Sequence, residues 1–478
     1  MRKLKRILSV VLAGAMALTA AACGSSGSTN GSASSAPPES AAESEASSAQ
    51  SDELSYANTT LGTSYTDITA TIKFLTHRTD MQKDDYTGTT WKTYLAEFNK
   101  MYPNITVNIE GITDYASDAL LRLQSSDWGD VMMIPAVDKG DLSTYFLSFG
   151  TLGEMENQIR FARAWEYDNE VYGVPYTGNA QGIVYNKKIF QQAGVTDLPK
   201  TPDEFMAALK AIKEKTDAIP LYTNYFAQWT MGAWDAYISG SATGDTQYMN
   251  QKLLHKANPF SDPGDGTGSY NVYKILYDAV SEKLTEDDYT TTDWESSKTK
   301  INNGEIACMV LGSWAYSQMV EAGPNGDDIG YMPFPITVDG KQYASAGADY
   351  SFGINVNSSK ENKEAAMVFV KWMTEDSGFS FNEGGIPIKA DDNNYPDLFK
   401  AFQDVELVED EPAAAGEEDL LNTLNSDSEL NINGGGNDKI MKIVEHAANG
   451  DESYDDIMKE WNQVWSDAQT KNNVEVTE

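Results

Sequence analysis

The sequence predicts an α/β protein in which helices cover both faces of open, mostly parallel sheets. Three observations predict this class. The 478 residues, 41% hydrophobic and 22% charged, suffice for two or three domain-sized units with sizeable cores. In the first globular part of the chain, β-rich runs alternate with segments of helical periodicity. Because only two cysteines occur, disulfide bonds are excluded as the framework of the fold.

The N-terminal residues are typical of a secretory signal. Residues 1–6 carry four basic side chains, and residues 7–22 form an apolar run that ends in three alanines. With Cys23 next, this pattern resembles the lipobox of bacterial lipoproteins, which implies that Cys23 is acylated and becomes the mature N-terminus. We therefore predict a signal peptide over residues 1–22. The alternative is an ordinary signal peptide with an unmodified cysteine.

Residues 23–65 are predicted to be a disordered tether. They consist mainly of Gly, Ser, Ala, Thr and acidic residues, and almost no bulky apolar side chain precedes Leu54. Such a segment cannot bury enough surface to offset the entropy lost on ordering. We expect the tether to hold a globular head, starting near residue 66, close to a membrane.

The head begins with a predicted β-α-β-α-β order. Residues 71–75, 105–109 and 131–134 have the composition of strands, and the leucines of residues 120–123 suggest the second helix. The apolar face of the first helix has a spacing of i, i+3, i+4 and i+7, formed by Trp91, Tyr94, Leu95 and Phe98. Ligands bind at the carboxyl ends of strands in such sheets, so the loop at residues 77–80 is a candidate site.

Several motifs follow in a fixed order. Thr201 and Glu204 form a capping box, with Pro202 at the first helical position. The motifs are Tyr172-Gly173-Val174-Pro175, Tyr185-Asn186-Lys187-Lys188, Ala193-Gly194, Thr201-Pro202-Asp203-Glu204-Phe205, and the run from Asn302-Asn303-Gly304-Glu305 to Gly312-Ser313-Trp314. In this order they closely resemble the extracellular solute-binding proteins of carbohydrate ABC importers. The resemblance covers roughly residues 68–390, and more loosely extends to 470.

The resemblance implies a two-lobed α/β fold of the periplasmic-binding-protein type II, hinged around a central cleft that binds sugar. Lobe 1 would comprise residues 66–177 and 348–390, and lobe 2 residues 178–347 and 391–472. The family's ligand positions fall on Asn179, on the loop with Asn224, Phe226 and Trp229, and on Trp314. In many relatives the position of Asn179 is a carboxylate.

The chemistry of these residues suits a sugar. A pyranose has an apolar face for aromatic stacking and a rim of hydroxyls for groups that both donate and accept hydrogen bonds. Trp314 follows a predicted strand end, where no helical stripe requires it, so we expect it to stack on ligand. Trp229 and Trp234 are either further platforms or the start of a helix's buried face. Helical periodicity assigns Trp91, Trp372, Trp461 and Trp465 to the core, and Trp128 is predicted to be structural.

Other candidate site residues lie in loops. His77, Arg78 and Asp80 follow the first strand, where Arg78 and Asp80 either bind hydroxyls or pair with each other. Asp349 either caps a strand or reaches the cleft. Gly385 lies in a predicted tight turn that lines the cleft, where a missing side chain allows close approach.

Other functions have less support. The formal net charge of −37 argues against nucleic-acid binding, and the three histidines are too dispersed for a His-rich metal centre. We predict no catalytic residues, cofactor or metal, because the common hydrolase, nucleotide-binding and zinc-protease motifs are missing. The acidic stretch of residues 391–437 is predicted to be a solvated, mobile face, and Cys308 an inert core thiol.

The prediction is therefore a monomeric, lipid-anchored receptor on the outer face of the cell membrane. It would capture a sugar or oligosaccharide and deliver it to the membrane subunits of an ABC permease. Two alternatives remain open at this point. One is a surface polysaccharide-degrading enzyme, because pairs of carboxylates are abundant. The other is an adhesion or sensor protein with the same fold.

Overall fold

The computed structural model describes residues 54–477, apart from residues 84, 85, 87, 114, 126, 435 and 436. The predicted signal peptide, Cys23 and most of the predicted tether lie outside the described residues. None of the helices in the described part is both long and apolar enough to span a bilayer.

The strands of the described residues are β1 Ala70–Thr76, β2 Ile105–Gly111, β3 Val131–Met133, β4 Gly150–Thr151, β5 Glu166–Tyr167, β6 Glu170–Val171, β7 Val174–Pro175, β8 Gly178–Asn186, β9 Ile219–Leu221, β10 Ile306–Gly312, β11 Ile329–Pro333, β12 Thr337–Val338, β13 Lys341–Ala348, β14 Ser351–Ile354 and β15 Glu406–Val408. The strands of the first β-α-β-α-β unit lie where the sequence predicts them.

The α-helices are α1 Trp91–Met101, α2 Tyr115–Ser125, α3 Leu142–Tyr145, α4 Leu152–Glu156, α5 Lys187–Ala193, α6 Pro202–Lys215, α7 Trp229–Gly232, α8 Gly240–Thr243, α9 Leu253–His255, α10 Gly268–Ser281, α11 Trp294–Asn303, α12 Ala315–Glu321, α13 Lys360–Glu375, α14 Phe379–Asn382, α15 Leu420–Ser428, α16 Asp438–Asn449 and α17 Tyr454–Lys471. One half of the predicted capping box of α6 is confirmed, since the Thr201 hydroxyl accepts a hydrogen bond from the backbone N–H of Glu204. The Glu204 carboxylate accepts from the backbone N–H of Lys200 rather than from that of Thr201, so the reciprocal half is not formed.

The first sheet has the strand order β2-β1-β3-β14-β7. Strand β1 is parallel to β2 and β3, whereas β14 is antiparallel to β3 and β7. Helices α1 and α13 pack on this sheet through Phe74, whose ring lies 5.5 Å from Trp91 and 5.7 Å from Phe369. Because β1 is parallel to its neighbours, the loop after β1 lies at the edge of the sheet where the parallel strands have their carboxyl ends.

The second sheet has the order β12-β13-β8-β10-β9, with β11 also paired to β8 and β15 to β13. Its long strand β8 is antiparallel to β10, β11 and β13. The α/β class is confirmed, but the sheets are mixed rather than mostly parallel. The physical reason is that the chain enters this sheet along β8 and leaves it along β13, so these neighbours run in opposite directions.

The ordered chain begins earlier than predicted. Tyr56 is fully buried, and its backbone N–H donates to the carbonyl of Phe149. The Nζ of Lys371 lies 3.8 Å from the centre of the Tyr56 ring and donates to the Tyr56 carbonyl. The prediction that residues up to 65 form a disordered tether is therefore wrong for residues 54–65, because one aromatic ring anchors them to α13.

The acidic stretch is also better packed than predicted. Strand β15 pairs with β13 in parallel, and Phe399 and Phe402 are buried in front of it. The carboxylate of Asp410 accepts a hydrogen bond from Ser239, and Glu411 accepts one of 2.7 Å from Thr246. A solvated, mobile face is therefore the wrong description of residues 397–411, because neutral donors satisfy the carboxylates that no cation pairs.

The assignment of five tryptophans to the core is confirmed. Their exposed fractions are between 0% and 6%, for Trp91, Trp128, Trp372, Trp461 and Trp465. Cys308 is also buried, as predicted, and burial raises the pKa of its thiol above the ordinary range.

Candidate ligand-binding site

A small third sheet has the order β4-β6-β5, and a cavity of about 760 Å³ opens where the first and second sheets meet. The loop after β1 and the turn at Asn382 form one wall, and the start of β8, the end of β13 and helix α12 form the others. The lining residues are His77, Arg78, Asp80, Tyr86, Gly88, Tyr176, Thr177, Asn179, Gln181, Trp314, Ser317, Gln318, Glu321, Gly347, Ala348, Asp349, Asn382 and Glu383.

Arg78 is held by two carboxylates. Its Nε and Nη2 donate to the carboxylate of Asp80 at 3.0 and 2.9 Å, and its Nη1 lies 2.7 Å from Oε2 of Glu383. Burial raises the pKa of Asp80, but the hydrogen bond and charge of Arg78 outweigh it and hold that pKa below the ordinary value. Arg78 and Asp80 therefore pair with each other, as one of the two hypotheses has it, while both line the cavity.

His77 is surrounded by aromatic rings. Its ring stacks on Tyr350 at a centroid distance of 4.2 Å and meets Tyr115 and Tyr176 edge to face. Burial and the neighbouring charge of Arg78 lower the pKa of His77 from 6.5 to about 4. The imidazole is thus uncharged at neutral pH and adds no positive charge to the cavity.

The floor of the cavity joins β8 to the end of β13. Asn179 donates from Nδ2 to Oδ2 of Asp349 at 2.9 Å and accepts at Oδ1 from the hydroxyl of Ser313 at 3.1 Å. The backbone N–H of Asp349 donates to the carbonyl of Thr177. Asp349 thus faces the cavity, and its carboxylate orients the Asn179 amide.

Trp314 forms the aromatic part of the lining. It precedes α12, and its indole lies so close to Gly312 that a Cβ there would be 2.6 Å from the indole nitrogen. Trp229 and Trp294 lie 5.6 and 5.9 Å from the Trp314 ring and 5.1 Å from each other. A cluster of three indoles therefore supports the ring that faces the cavity.

The structure places five of the predicted site residues outside the cavity lining. Asn224 is 1% exposed, has a left-handed backbone with φ 56°, and donates from its side-chain amide to the sulfur of Met309. Trp234 is 3% exposed and packs on Tyr237 and Phe334 in the core. These two predictions are therefore corrected.

The other three do not line the cavity either. Phe226 is 66% exposed on the surface. Trp229 contacts the ring of Trp314 but does not itself line the cavity. Gly385 lies behind the lining, where a Cβ would come within 1.8 Å of the Thr177 hydroxyl oxygen. Its missing side chain serves packing behind the wall.

Several lining residues were not predicted. Gln181 lies two residues beyond Asn179 on β8, so the period of a strand places both on one face. Ser317, Gln318 and Glu321 follow Trp314 at i+3, i+4 and i+7, the spacing of one helical face. Those signals are present in the sequence. Nothing local marks Tyr86, Asn382 or Glu383.

The cavity has the chemical groups that a ligand-binding site requires. It combines an aromatic ring with amide and hydroxyl groups that donate and accept hydrogen bonds. Within the described part of the chain, no group of three or more His, Cys, Asp or Glu side chains is arranged to hold a metal ion. Two sheets flanked by helices, with a polar cavity and an aromatic wall between them, are typical of two-domain solute-binding proteins.

Comparison with known proteins gives the family. The model of the bacterial extracellular solute-binding protein family matches residues 84–378, and the chain belongs to this family. A manno-oligosaccharide-specific solute-binding protein from Bifidobacterium animalis subsp. lactis, solved with mannotriose, is similar at 55% identity over 87% of this chain and 99% of its own, with a TM-score of 0.80.

Two further relatives are informative. A binding protein of an ABC transporter from the same bacterium, solved with mannobiose, shares 57% identity over 88% of this chain and 99% of its own, with a TM-score of 0.80. A multiple sugar-binding protein of Streptococcus mutans is 27% identical over 60% of this chain and 68% of its own. The family and these relatives are binding proteins, so the chain is a binding protein and not an enzyme.

Proposed function

We propose that this protein binds a manno-oligosaccharide in the cavity between its first and second sheets and delivers it to an ABC importer. The observation that carries the proposal is the identity of 55% and 57%, over almost the entire length of each relative, to proteins solved with mannotriose and mannobiose. The more distant relatives differ in the sugars that their names give, and so they support only the family.

The cavity suits such a ligand. Its volume of about 760 Å³ falls within the roughly 300–1,000 Å³ of small-molecule sites. Side-chain amides both donate and accept hydrogen bonds, as a ring of hydroxyls requires, and they come from Asn179, Gln181, Gln318 and Asn382. Trp314 offers a surface to the apolar face of a sugar ring.

We assign the binding residues accordingly. Those predicted from the sequence are His77, Arg78, Asp80, Asn179, Trp314 and Asp349, of which His77 acts mainly by supporting the wall. We further propose that the sheets mark two lobes, of residues 66–177 plus 348–390 and 178–347 plus 391–472. The lobes move about the segments where β7 continues into β8 and β13 into β14.

We also propose that Cys23 carries the lipid that keeps the protein on the outer face of the membrane. This rests on the basic and apolar residues before Cys23 and the three alanines at residues 20–22. Two acyl chains give stable anchoring, whereas one gives only reversible binding.

A thermal-shift screen of the purified protein tests the function. The panel contains mannobiose and mannotriose beside maltotriose, raffinose and a chitin oligosaccharide. A ligand at 100 times its Kd stabilises the folded state by about 2.7 kcal/mol. We expect the two manno-oligosaccharides to raise Tm and to be recovered intact on chromatography. A shift with another sugar alone would refute the assignment.

A further inference from the structure

The cavity lining carries more negatively charged than positively charged side chains. Among its described lining residues, Arg78 is the one Lys or Arg side chain, and the same lining contains four carboxylates, those of Asp80, Glu321, Asp349 and Glu383. A site that combines one arginine with amides and an aromatic ring has the groups to bind a carboxylate or phosphate on a sugar, since a guanidinium binds such anions bidentately. Whether the cavity can bind such an anion therefore depends on whether the Arg78 guanidinium is already paired within the protein.

Arg78 is fully engaged on both edges of its guanidinium. Asp80 accepts from Nε and Nη2 in a bidentate arrangement, and Glu383 lies 2.7 Å from Nη1. Tyr86 closes the network, because its hydroxyl accepts from Nη2 at 2.8 Å and lies 3.2 Å from both carboxylate oxygens of Glu383. The side chains of Arg78 and Glu383 are only 16% and 12% exposed, so water screens this pair weakly.

The backbone fixes both partners in place. The Trp91 indole donates to the carbonyl of Arg78, and the backbone N–H of Arg78 donates to the Thr76 hydroxyl. Glu383 directly follows the short helix α14 as its C-cap, and its N–H donates to the carbonyl of Phe379. The carboxylate is therefore held against the arginine by the fold rather than by a flexible loop alone.

We propose that Glu383 is a specificity-determining residue that makes the site select uncharged sugars. Together with Asp80 it occupies the arginine that would otherwise bind an anionic substituent, and the negative charge of the carboxylates in the lining repels such a ligand. The site then takes neutral oligosaccharides and rejects the same sugars when they carry a uronate or phosphate group. This inference rests on the proposed sugar-binding function and adds a rule for which sugars are accepted.

Calorimetric titration with a matched pair of ligands tests it. Mannotriose is the neutral probe, and a mannuronic acid trisaccharide of the same linkage replaces each C6 hydroxymethyl group with a carboxylate. For the natural protein we expect affinity at least 100-fold higher for the neutral probe. For Glu383→Gln, which keeps a hydrogen-bonding amide but removes the charge beside Nη1 of Arg78 while Asp80 still holds Nε and Nη2, we expect the ratio to fall at least tenfold.

Glu97→Gln is the control, because Glu97 is an exposed carboxylate paired with Lys100 on α1. It should leave the ratio unchanged. A natural protein that binds both trisaccharides within threefold of each other overturns the inference, as does an unchanged ratio in a folded Glu383→Gln. If another neutral sugar binds in place of mannotriose, and its uronate form is rejected, the manno-oligosaccharide assignment fails while the selection rule stands.

Discussion

The amide of Asn179 donates a 2.9 Å hydrogen bond to the carboxylate of Asp349, at the point where the chain passes between the two sheets. The backbone repeats this connection, since Gly347 pairs with Asn179 and Ala348 with Gly178. The two segments that connect the sheets, at residues 178–179 and 347–349, are thus joined by hydrogen bonds at the floor of the cavity. This pairing links the geometry of the binding site to the segments about which we propose that the lobes move.

Asn179→Asp tests that connection. The variant places two carboxylates within hydrogen-bonding distance, so we expect the free energy of unfolding at pH 7 to fall by roughly 1–3 kcal/mol. The loss should shrink toward pH 4, where a shared proton removes the repulsion. Urea unfolding at both pH values measures it. The double variant Asn179→Asp/Asp349→Asn exchanges donor and acceptor and should restore stability; if it does not, the hydrogen bond is not the cause.

Trp314→Ala should weaken mannotriose binding by about 2 kcal/mol or more, roughly 30-fold, because it removes the aromatic surface of the cavity. Trp314 is half-buried, and Trp229 and Trp294 remain in contact after its removal, so we expect a smaller loss of stability than for a core tryptophan. Calorimetric titration and urea unfolding on the same variant separate the two effects.

Trp372→Ala is the matched comparison. Trp372 is 4% exposed and packs against Phe98, so its truncation should cost roughly 3–5 kcal/mol of folding stability. The fraction that remains folded should bind sugar normally. Undiminished affinity in Trp314→Ala would remove that ring from the site.

His77 predicts a pH dependence of stability. Its pKa is lowered from 6.5 to about 4, chiefly by burial and then by the charge of Arg78. The unfolded chain therefore binds more protons between these values, and the stability that the uncharged ring contributes, at most about 3 kcal/mol, is lost as pH falls from 6.5 through 4.

His77→Phe removes this titration and keeps a ring to stack on Tyr350. Unfolding free energies at pH 7 and pH 4.5 should then differ less in the variant than in the natural protein. An equal difference in both proteins would mean that other groups cause the acid sensitivity.

Gly385→Ala tests the packing behind the cavity wall. The new Cβ would lie 1.8 Å from the Thr177 hydroxyl oxygen, so the turn must shift, which costs about 1–3 kcal/mol of stability. We expect weaker sugar binding as well, because Thr177 and the neighbouring Glu383 line the cavity. Gly153→Ala is the control, since the added Cβ meets no atom within 4 Å beyond its own helix backbone and chain neighbours, and it should lower neither Tm nor affinity.

Cys23→Ser should release the protein from membranes, because acylation of this cysteine is the anchor that we propose. Cell fractionation followed by immunodetection measures the distribution. Retention of the variant in the membrane fraction at the natural level would show that another attachment holds it there.

Local sequence patterns predicted the helices and strands, because each of these patterns depends on residues that are only a few positions apart. The stripe of α1 and the cap of α6 are of this kind. The loop after β1 was also placed near a ligand site by a rule about strand ends, and it lines the cavity. Such rules act over one supersecondary unit.

Contacts between residues far apart in the sequence determine the features that local patterns could not predict. Trp234 and Trp314 both come after a strand in the sequence, yet Trp234 packs against Tyr237 and Phe334 in the core, whereas Trp314 lines the cavity. Tyr86 and Glu383 meet although 297 positions separate them, and no local spacing indicates this contact. The sequence therefore predicted the fold and part of the site, whereas the charged network of the cavity required the tertiary structure.

The most direct test of manno-oligosaccharide binding is a crystal structure of the protein with mannotriose. We predict that the trisaccharide lies in the cavity, with one ring over the Trp314 indole and hydroxyls on the amides of Asn179 and Gln318. Mannotriose bound elsewhere on the protein, or a cavity that stays empty at saturating mannotriose, would contradict the account.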